Sequence, residues 1–299
     1  MSTPQVAIDA IEIDDYVRPS WLSRSWTLIK HQPLGSAGAG VVILMVFAAI
    51  FAPWITPVDP EAASFENMLV PPGWDFWMGT DNFGRDIYTR IVYGARTALF
   101  VGFICATVGS FIGLVLGVGS AYFGGWIDLI FQRVMDVFMA FPLIIMALAI
   151  VATLGTGTDK VIIAITIPFI PQCARVVRSS ALSLREIPYV DAARACGFSH
   201  MRIILCHMTP NVMAPFLIMF TTFVGQAILL EASLSYLGMG VQEPIPAWGL
   251  MLQGGAEEYA ESAPWVPIFP GLAITLAVFG FNLFGDALRD VLDPKLRDR

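Results

Sequence analysis

Charged residues are scarce in this chain, and their scarcity excludes most soluble folds. Of the 299 residues, 14% are charged and 56% are hydrophobic, whereas soluble domains usually carry about 25% charged residues. A water-soluble protein of this length would still need a charged surface around its core. The composition therefore predicts a membrane protein.

Several motifs are also missing. The sequence has no phosphate-binding loop of the form G-x4-G-K-[ST], so any ATP hydrolysis would have to occur in another subunit. The first fifteen residues lack a basic stretch followed by an apolar run, which predicts no cleavable signal peptide. A net charge of −7 and the lack of a basic stripe with interleaved aromatics argue against nucleic acid as a partner.

Cysteine is rare, with four residues in the chain, and none falls where we place the outer face, so we expect no disulfides. Cys196, His200, Cys206 and His207 lie close together, but the spacing C-x3-H-x5-C-H lacks the close pairs of structural zinc sites. We therefore expect no metal, and we find no convincing set of catalytic residues.

Long apolar runs dominate what is present. A spanning helix needs roughly 20 mostly apolar residues, and six runs qualify. They lie at about 34–55, 97–123, 134–154, 161–177, 212–237 and 266–287. The fourth is the weakest, because Pro168 and Pro171 interrupt it. The sequence thus predicts an all-α protein with six transmembrane helices.

The distribution of Lys and Arg predicts the orientation, since cytoplasmic segments are enriched in these residues. With the N-terminus inside, the inner segments carry thirteen of the seventeen basic residues. The predicted organisation is then a cytoplasmic tail at 1–33, a first helix at 34–55, an extracytoplasmic loop at 56–96, a transmembrane core at 97–288 and a cytoplasmic tail at 289–299.

The second apolar run carries small residues at intervals of four: Gly109, Gly113 and Gly117. In lipid, such a stripe lets two helix backbones approach closely. The stripe fits packing within this chain or packing against a partner subunit.

The loop at about 184–211, between the fourth and fifth runs, is predicted to form two short helices. Pro188 suits an early helical position, Gly197 a left-handed turn that ends a helix, and Ser199 a helix cap. We expect Pro210 to end the second helix. The first helix would place Tyr189, Val190, Ala193 and Cys196 near one face. Such a helix suits docking into a groove of a partner protein or lying on the lipid surface.

The same loop resembles the EAA loop of ABC importer permeases. The family pattern is Glu-Ala-Ala-x3-Gly with a downstream hydrophobic-x-Leu-Pro. Here it reads Asp191-Ala192-Ala193-x3-Gly197, then His207-Met208-Thr209-Pro210, with Asp for Glu and Thr for Leu.

Three further segments resemble the peptide/nickel subgroup of these permeases, and particularly its "C" subunit. They are Gly79–Thr97, Glu231–Val241 and Asn282–Asp290, so that the resemblance extends from the first span to the tail. It implies the type I importer (MetI-like) permease fold, with a core of five helices plus one N-terminal helix.

The resemblance also implies the partners. A homologous second permease would complete the pathway in the bacterial inner membrane, and a solute-binding protein outside the cell would deliver substrate. Two cytoplasmic ATPases would consume ATP with Mg²⁺, while this chain would bind no cofactor itself. Its coupling residues would be Tyr189, Asp191, Ala192, Ala193, Gly197, His207 and Pro210. Dipeptides, oligopeptides, nickel chelates, opines and oligosaccharides all fit the subgroup.

Four charged residues are candidates for gating or for structure. Asp81, Arg85 and Asp86 precede the second run, where we expect an ion-paired turn rather than a catalytic carboxylate pair. Glu231 lies inside the fifth run, and an ionisable group there is a functional candidate. A structural hydrogen bond or ion pair, a gating role and proton coupling all remain open, although we expect water to reach Glu231 near the outer end.

A secondary transporter or channel is the main alternative function. It would favour inverted repeats and paired broken helices, which we do not find in the sequence. A membrane enzyme would require a catalytic set, and none is convincing.

Overall fold

A computed structural model describes residues 32–256 and 258–292, and these residues are almost entirely helical. Predictions for 1–31, Glu257 and 293–299, including most of both tails, lie outside the described residues. The helices, in chain order, are α1 Pro33–Ile55, α2 Ile87–Phe123, α3 Gly125–Met139, α4 Leu143–Leu154, α5 Thr158–Arg185, α6 Pro188–Ala195, α7 His200–Arg202, α8 Met213–Tyr236, α9 Trp248–Ala256 and α10 Trp265–Leu292.

The described helices provide the six predicted spans. Five helical stretches are long and apolar enough to cross a membrane: α1, α2, α5, α10, and the run His200–Tyr236 that contains α8. The pair α3–α4 passes the same test when it is counted as one broken span. The prediction of an all-helical membrane protein with six spans is therefore confirmed.

The second span begins ten residues earlier than the sequence indicated. We placed its start at residue 97, but α2 begins at Ile87 and runs for 37 residues. Arg90 and Arg96 made the first turns look unsuitable for a membrane helix. Both side chains donate hydrogen bonds to backbone carbonyls of other segments. The predicted loop at 56–96 accordingly ends at Asp86, which caps α2.

The third span is bent, which the sequence analysis did not predict. Its two helices meet at an angle of 86°, and the chain between them contains Pro142. Proline lacks a backbone N–H and disfavours helical conformation in the preceding residue, here Phe141. The predicted span at 134–154 is thus two helices, the first of which already begins at Gly125.

Proline does not interrupt the fourth span. Pro168 and Pro171 lie within α5 and are both buried against neighbouring helices. Packed neighbours make such prolines tolerable in membrane helices. As a result α5 continues to Arg185, eight residues beyond the predicted end, and α10 likewise continues to Leu292.

The α2 helix is the centre of the bundle and packs most extensively against α5, while α8 contacts both α2 and α10. The glycine stripe of α2 faces α5. A Cβ added at Gly113 would lie 2.6 Å from the Cβ of Cys173, and one at Gly109 would lie 2.8 Å from the Cβ of Phe169. Gly117 approaches the α5 backbone at Ala174 in the same way. In this structure the stripe serves packing within the chain.

The N-terminal helix α1 packs along α10 and also contacts α2. Pro53, in the last turns of α1, cannot donate a hydrogen bond to the carbonyl of Ala49 four residues earlier. Arg96 of α2 donates to that carbonyl instead, and its Nη2 donates to the Ile50 carbonyl at 3.1 Å. An arginine thus satisfies the backbone acceptor that the proline leaves open.

The two ends of the bundle differ in their connecting segments. Residues 186–212, between α5 and α8, lie beside the C-terminal end of α2, and we call this the proximal end. Residues 56–86 meet residues 237–247 and Trp265, the first residue of α10, beside the N-terminal end of α2, and we call this the distal end.

Candidate functional site

The candidate site is the loop at 184–211, which we call the coupling loop. Its first helix, α6, begins after Ile187, whose backbone is extended, and has Pro188 at its first position. Proline is favoured there because its missing N–H would have no helical partner. The predicted start of this helix agrees with the structure.

One face of α6 is buried and the other is open. Val190 and Ala193 pack into the hydrophobic core of the bundle. The opposite face is exposed and consists of short side chains at helical spacing, namely Pro188, Asp191, Ala192 and Ala195. Cys196, which we expected near the same face as Val190 and Ala193, is exposed instead.

A left-handed turn follows α6 at Gly197, where φ is +75°. The N–H of Gly197 bonds the Arg194 carbonyl at 2.9 Å, and the N–H of Phe198 bonds the Ala193 carbonyl at 3.2 Å. These bonds close the end of the helix as a left-handed glycine cap does. Ser199 Oγ then accepts a hydrogen bond from the Arg202 N–H at 3.4 Å.

The second part of the loop does not end at Pro210 as predicted. After α7 the chain forms a π-helical turn at Ile203–Met208 and a 3-10 turn at Thr209–Val212, and then enters α8 directly. Pro210 occupies the start of the 3-10 turn, where its missing N–H costs little. A π-helical turn is uncommon and is often found at functional sites.

Two side chains fasten this second part to α6. The Tyr189 hydroxyl donates to the His207 carbonyl at 3.1 Å, and Asn211 Nδ2 donates to the same carbonyl at 2.7 Å. The structure therefore brings Tyr189 and His207 together, although the contact involves the backbone of His207 rather than its ring. Arg194 also pairs with Asp191 at 3.1 Å on the exposed surface.

The loop also contacts the last turn of α2. Tyr122, which is 4% exposed, shares a 2.7 Å hydrogen bond with His200 Nδ1. The Arg194 guanidinium lies over the Tyr122 ring, 5.0 Å from its centroid. Arg185 donates to the Ala121 carbonyl at 3.1 Å. Tyr122 could not be singled out from the sequence, because nothing in its local pattern distinguishes it from other aromatic residues of a membrane helix.

At the distal end, Arg85 joins two segments that are far apart in the chain. Its Nε lies 2.7 Å from Asp81 Oδ2, and its Nη1 lies 2.6 Å from Glu243 Oε2. Burial lowers the Arg85 pKa, but hydrogen bonds and the charges of both carboxylates outweigh burial, so the pKa is raised. The guanidinium stays charged at any physiological pH.

Arg90 completes this distal cluster, which consists of Asp81, Arg85, Arg90 and Glu243. Its side chain is fully buried and donates to the carbonyls of Pro60 at 3.1 Å and Pro244 at 3.4 Å. The cluster contains two cations and two anions. The sequence indicated the local Asp81–Arg85 pair, whereas Arg90 and Glu243 carried no signal of their role.

Asp86 and Glu231 are both placed outside this cluster. Asp86 caps α2 by accepting hydrogen bonds from the N–H and hydroxyl of Thr89 at 3.0 and 2.5 Å. Glu231 is only 2% exposed, so the expectation that water reaches it is wrong. It accepts a 2.7 Å hydrogen bond from Ser235, whose oxygen accepts from the Val241 N–H at 3.1 Å. Glu231 therefore holds the chain just after α8.

The His200 ring shares a hydrogen bond with Tyr122, and the His207 ring packs against Phe198. Within the part of the chain that the structure describes, no three His, Cys, Asp or Glu side chains are grouped closely enough to hold a metal ion.

Two family models match the chain. Residues 109–298 match the binding-protein-dependent transport system inner membrane component, and residues 20–72 match the N-terminal TM domain of oligopeptide transport permease C. Together they include the coupling loop and α1.

Curated relatives match over nearly the whole length. A putative peptide transport system permease protein of Brucella abortus is 45% identical over 90% of each chain. The dipeptide transport system permease protein DppC of Alkalihalophilus pseudofirmus is 43% identical over 95% of this chain and 93% of its own. The glutathione transport system permease protein GsiD of Escherichia coli is 41% identical over 98% and 97%.

A solved structure shares the fold. A chain of the MetNI methionine ABC transporter aligns with a TM-score of 0.56 and 21% identity, covering 69% of this chain and 98% of that one. At that identity the match speaks only for the fold, and it confirms the MetI-like core. The chain therefore belongs to the binding-protein-dependent transport system inner membrane component family, as a permease of the peptide-transport type with the N-terminal helix of oligopeptide transport permease C.

Proposed function

We propose that this chain is one of two permease subunits in an ATP-driven importer of dipeptides, oligopeptides or a related solute. A second, homologous permease completes the pathway. Two ATPases bind at the proximal end, one of them on the coupling loop, and hydrolyse ATP with Mg²⁺. A solute-binding protein delivers substrate at the distal end.

The observation that carries the proposal is the exposed face of α6. Pro188, Asp191, Ala192 and Ala195 form a stripe of short side chains on a helix whose other face is anchored in the core. Short side chains let a partner approach the helix backbone closely, as when a helix fits a groove. A helix lying on lipid would instead present bulky apolar residues to the membrane.

The anchored face explains how the contact would do work. Because Val190 and Ala193 are buried, a movement of α6 cannot occur without moving the helices beneath it. ATP can drive this movement only if it binds one arrangement of the complex more tightly than the other. The coupling loop therefore transmits a difference in binding free energy rather than performing chemistry.

The relatives support a peptide-like substrate. The curated names among them refer to peptides, dipeptides and glutathione, all of which contain peptide or amide groups with charged termini. We place small peptides first, ahead of the nickel chelates, opines and oligosaccharides that the resemblance also allows.

Two features support one orientation of the chain in the membrane: the distribution of basic residues and the position of the exposed face of α6. ATPases that use cellular ATP must be cytoplasmic, so the proximal end faces the cytoplasm and both termini lie inside. The family membership favours this importer over a secondary transporter or channel, which would need no ATPase partner.

Affinity purification of the tagged chain from its native membranes in a mild detergent tests the proposal. We expect two ATPases, a second permease and the binding protein to be recovered with it. Ala192→Trp places a bulky side chain in the centre of the exposed face and should lower the recovery of the ATPase that binds this loop, while the second permease is retained.

The matched control is Ala192→Ser, which keeps the side chain short and should retain all partners. Recovery of the wild-type chain alone, in several mild detergents, would contradict the importer. Equal recovery of both ATPases with Trp and with Ser at position 192 would show that neither binds this face of α6.

A further inference from the structure

The contacts between the coupling loop and α2 converge on one helical turn. Arg185 donates to the carbonyl of Ala121, His200 bonds the hydroxyl of Tyr122, and Arg194 lies over the Tyr122 ring. Arg185 precedes α6, Arg194 lies in its last turn and His200 follows it. Any displacement of the loop therefore acts on the C-terminal turn of α2.

The Tyr122 ring is in contact with the helix bundle on one side and with the coupling loop on the other. The ring is nearly buried in the bundle, and the His200 ring packs against it edge to face with centroids 5.6 Å apart. The guanidinium of Arg185 fills the space beside Gly124, directly after the helix. Tyr122 is thus fixed in α2 and in close contact with the loop at the same time.

The α2 helix is well suited to carry such a displacement along its length. Its 37 residues contain no proline, and at about 1.5 Å per residue they extend roughly 55 Å. The close approach of Gly109, Gly113 and Gly117 to α5 keeps the two helices together. The helix therefore connects its two ends without a proline break, and α5 supports it along the glycine stripe.

The other end of α2 is tied to the segment 237–247, which follows α8. Arg85, just before α2, bonds Glu243, and Arg90 donates to the Pro244 carbonyl. Thr97 donates to the Pro246 carbonyl at 2.9 Å. Trp248, the first residue of α9, donates to the Ile91 carbonyl at 3.0 Å. Two contacts therefore join the first turns of α2 directly to this distal segment, and two more flank them, from Arg85 just before α2 and from Trp248 just after the segment.

We propose that α2 is the element that carries movement of the coupling loop to the distal segment 237–247, and that Tyr122 receives this movement from His200 and Arg194. Tyr122 and His200 are positioning residues in this role, since neither contacts substrate. The inference rests on the proposed function, because it assumes that the ATPases move the coupling loop. It adds a defined receiving residue and a defined responding segment, which lies on the other side of the membrane.

The test uses the complete transporter in lipid vesicles, with Gln242→Cys as a reporter in the exposed part of the distal segment. Cys196 and Cys206, the two exposed native cysteines, are changed to Ser. The labelling rate of the reporter by a membrane-impermeant maleimide is measured without nucleotide and with ATP trapped by vanadate. We expect the two rates to differ in the otherwise unmodified transporter.

Tyr122→Phe removes only the hydroxyl and keeps the ring beneath Arg194. We expect the ratio of the two labelling rates to fall about fivefold, the equilibrium factor of one net hydrogen bond that is made in only one of the two states. ATPase binding should be unchanged. His200→Ala should lower the ratio similarly, and the double variant should be no worse than the single ones, because both remove the same contact. Tyr93→Phe, which removes a hydroxyl from the distal half of α2, is the matched control and should keep the ratio.

The outcomes separate the two proposals. If Tyr122→Phe retains the ATPases and an undiminished labelling ratio, Tyr122 is not the receiving residue and the inference is overturned. If Tyr93→Phe lowers the ratio as much as Tyr122→Phe, the effect is not specific and the inference is again overturned. If the unmodified chain binds no ATPase, the proposed function itself fails, and the inference fails with it.

Discussion

Single residues at the proximal end fix the shape of the coupling loop. Pro188, Gly197 and Ser199 act through local backbone geometry, which depends on neighbouring residues in the chain. Their roles could be predicted from the sequence for that reason, and the structure places each of them at the predicted turn or cap.

Gly197 provides a test at this scale. Its φ is +75°, yet no atom lies within 4 Å of where a Cβ would be, so a substitution would be limited by backbone strain rather than by space. A β-branched residue should suffer most, at about 1–2 kcal/mol, whereas Asn tolerates the left-handed region. We expect Gly197→Val to lower substrate uptake severely and Gly197→Asn to keep most of it, at equal amounts in the membrane. Equal uptake by the two variants would contradict this role of the turn.

Single residues at the distal end behave differently. Asp81 and Arg85 are close in sequence, so their pairing was predictable from the motif. Glu243, which completes the cluster, lies 158 residues away, and its local sequence carries no sign of a partner. Glu231 was recognised as a candidate because carboxylates are rare in apolar runs, but its burial and its bond with Ser235 depend on how the following segment folds back.

At the scale of whole elements, the length of the apolar runs predicted the spans. Charged residues, however, hid the first turns of α2. The start of α2 was missed because arginine lowers the hydropathy of its first turns, and only the packed structure shows which carbonyls accept their hydrogen bonds. The bend between α3 and α4 depends on Pro142, but Pro168 and Pro171 in α5 produce no break. Whether a proline breaks a membrane helix depends on the neighbours that pack around it.

Two glycine-to-alanine substitutions in α2 should change the stability of the protein in opposite directions. A Cβ at Gly113 would lie 2.6 Å from the Cβ of Cys173, whereas Gly119 has open space around its Cβ position. Gly119→Ala should stabilise the helix by about 0.5–1 kcal/mol. Gly113→Ala should destabilise the protein by about 1–3 kcal/mol, because α5 must move away. Unfolding temperatures of the two variants in the same detergent measure this, and two shifts of the same sign would contradict the close packing.

The contact between α1 and α2 gives a second prediction. Arg96→Leu leaves the Ala49 carbonyl without a donor, at a cost of about 1–3 kcal/mol. Pro53→Ala restores a backbone N–H that can bond the same carbonyl. We therefore expect Arg96→Leu to cost clearly less in the Pro53→Ala background than alone, as measured by unfolding temperature. Equal costs in the two backgrounds would show that the arginine does not compensate for the proline.

For the whole molecule, the arrangement of basic residues predicts that the proximal end is cytoplasmic. Two native cysteines test this directly, because Cys196 and Cys206 are exposed at that end while Cys105 and Cys173 are buried. With the chain expressed without ATPases, an impermeant maleimide should label the exposed pair in inside-out vesicles and leave it unlabelled in intact spheroplasts.

The control for orientation moves the thiol to the other end. Trp74 is exposed in the segment before α2, and Trp74→Cys in a background with Ser at 196 and 206 should be labelled in spheroplasts and protected in inside-out vesicles. The reverse pattern in both preparations would mean that the chain is inserted the other way round.

By itself, the sequence determined that this protein spans a membrane, roughly where its helices lie, and which loop carries the family pattern. Those properties depend on composition, on apolar length and on the conformations that Pro188 and Gly197 prefer locally. The tertiary structure decided which distant groups meet: Arg85 with Glu243, Arg96 with the Ala49 carbonyl that Pro53 leaves without a donor, and Tyr122 with His200. Such pairs depend on how helices approach one another across the bundle, and in lipid that approach is governed by close packing and satisfied backbone groups rather than by a hydrophobic pattern readable along the chain.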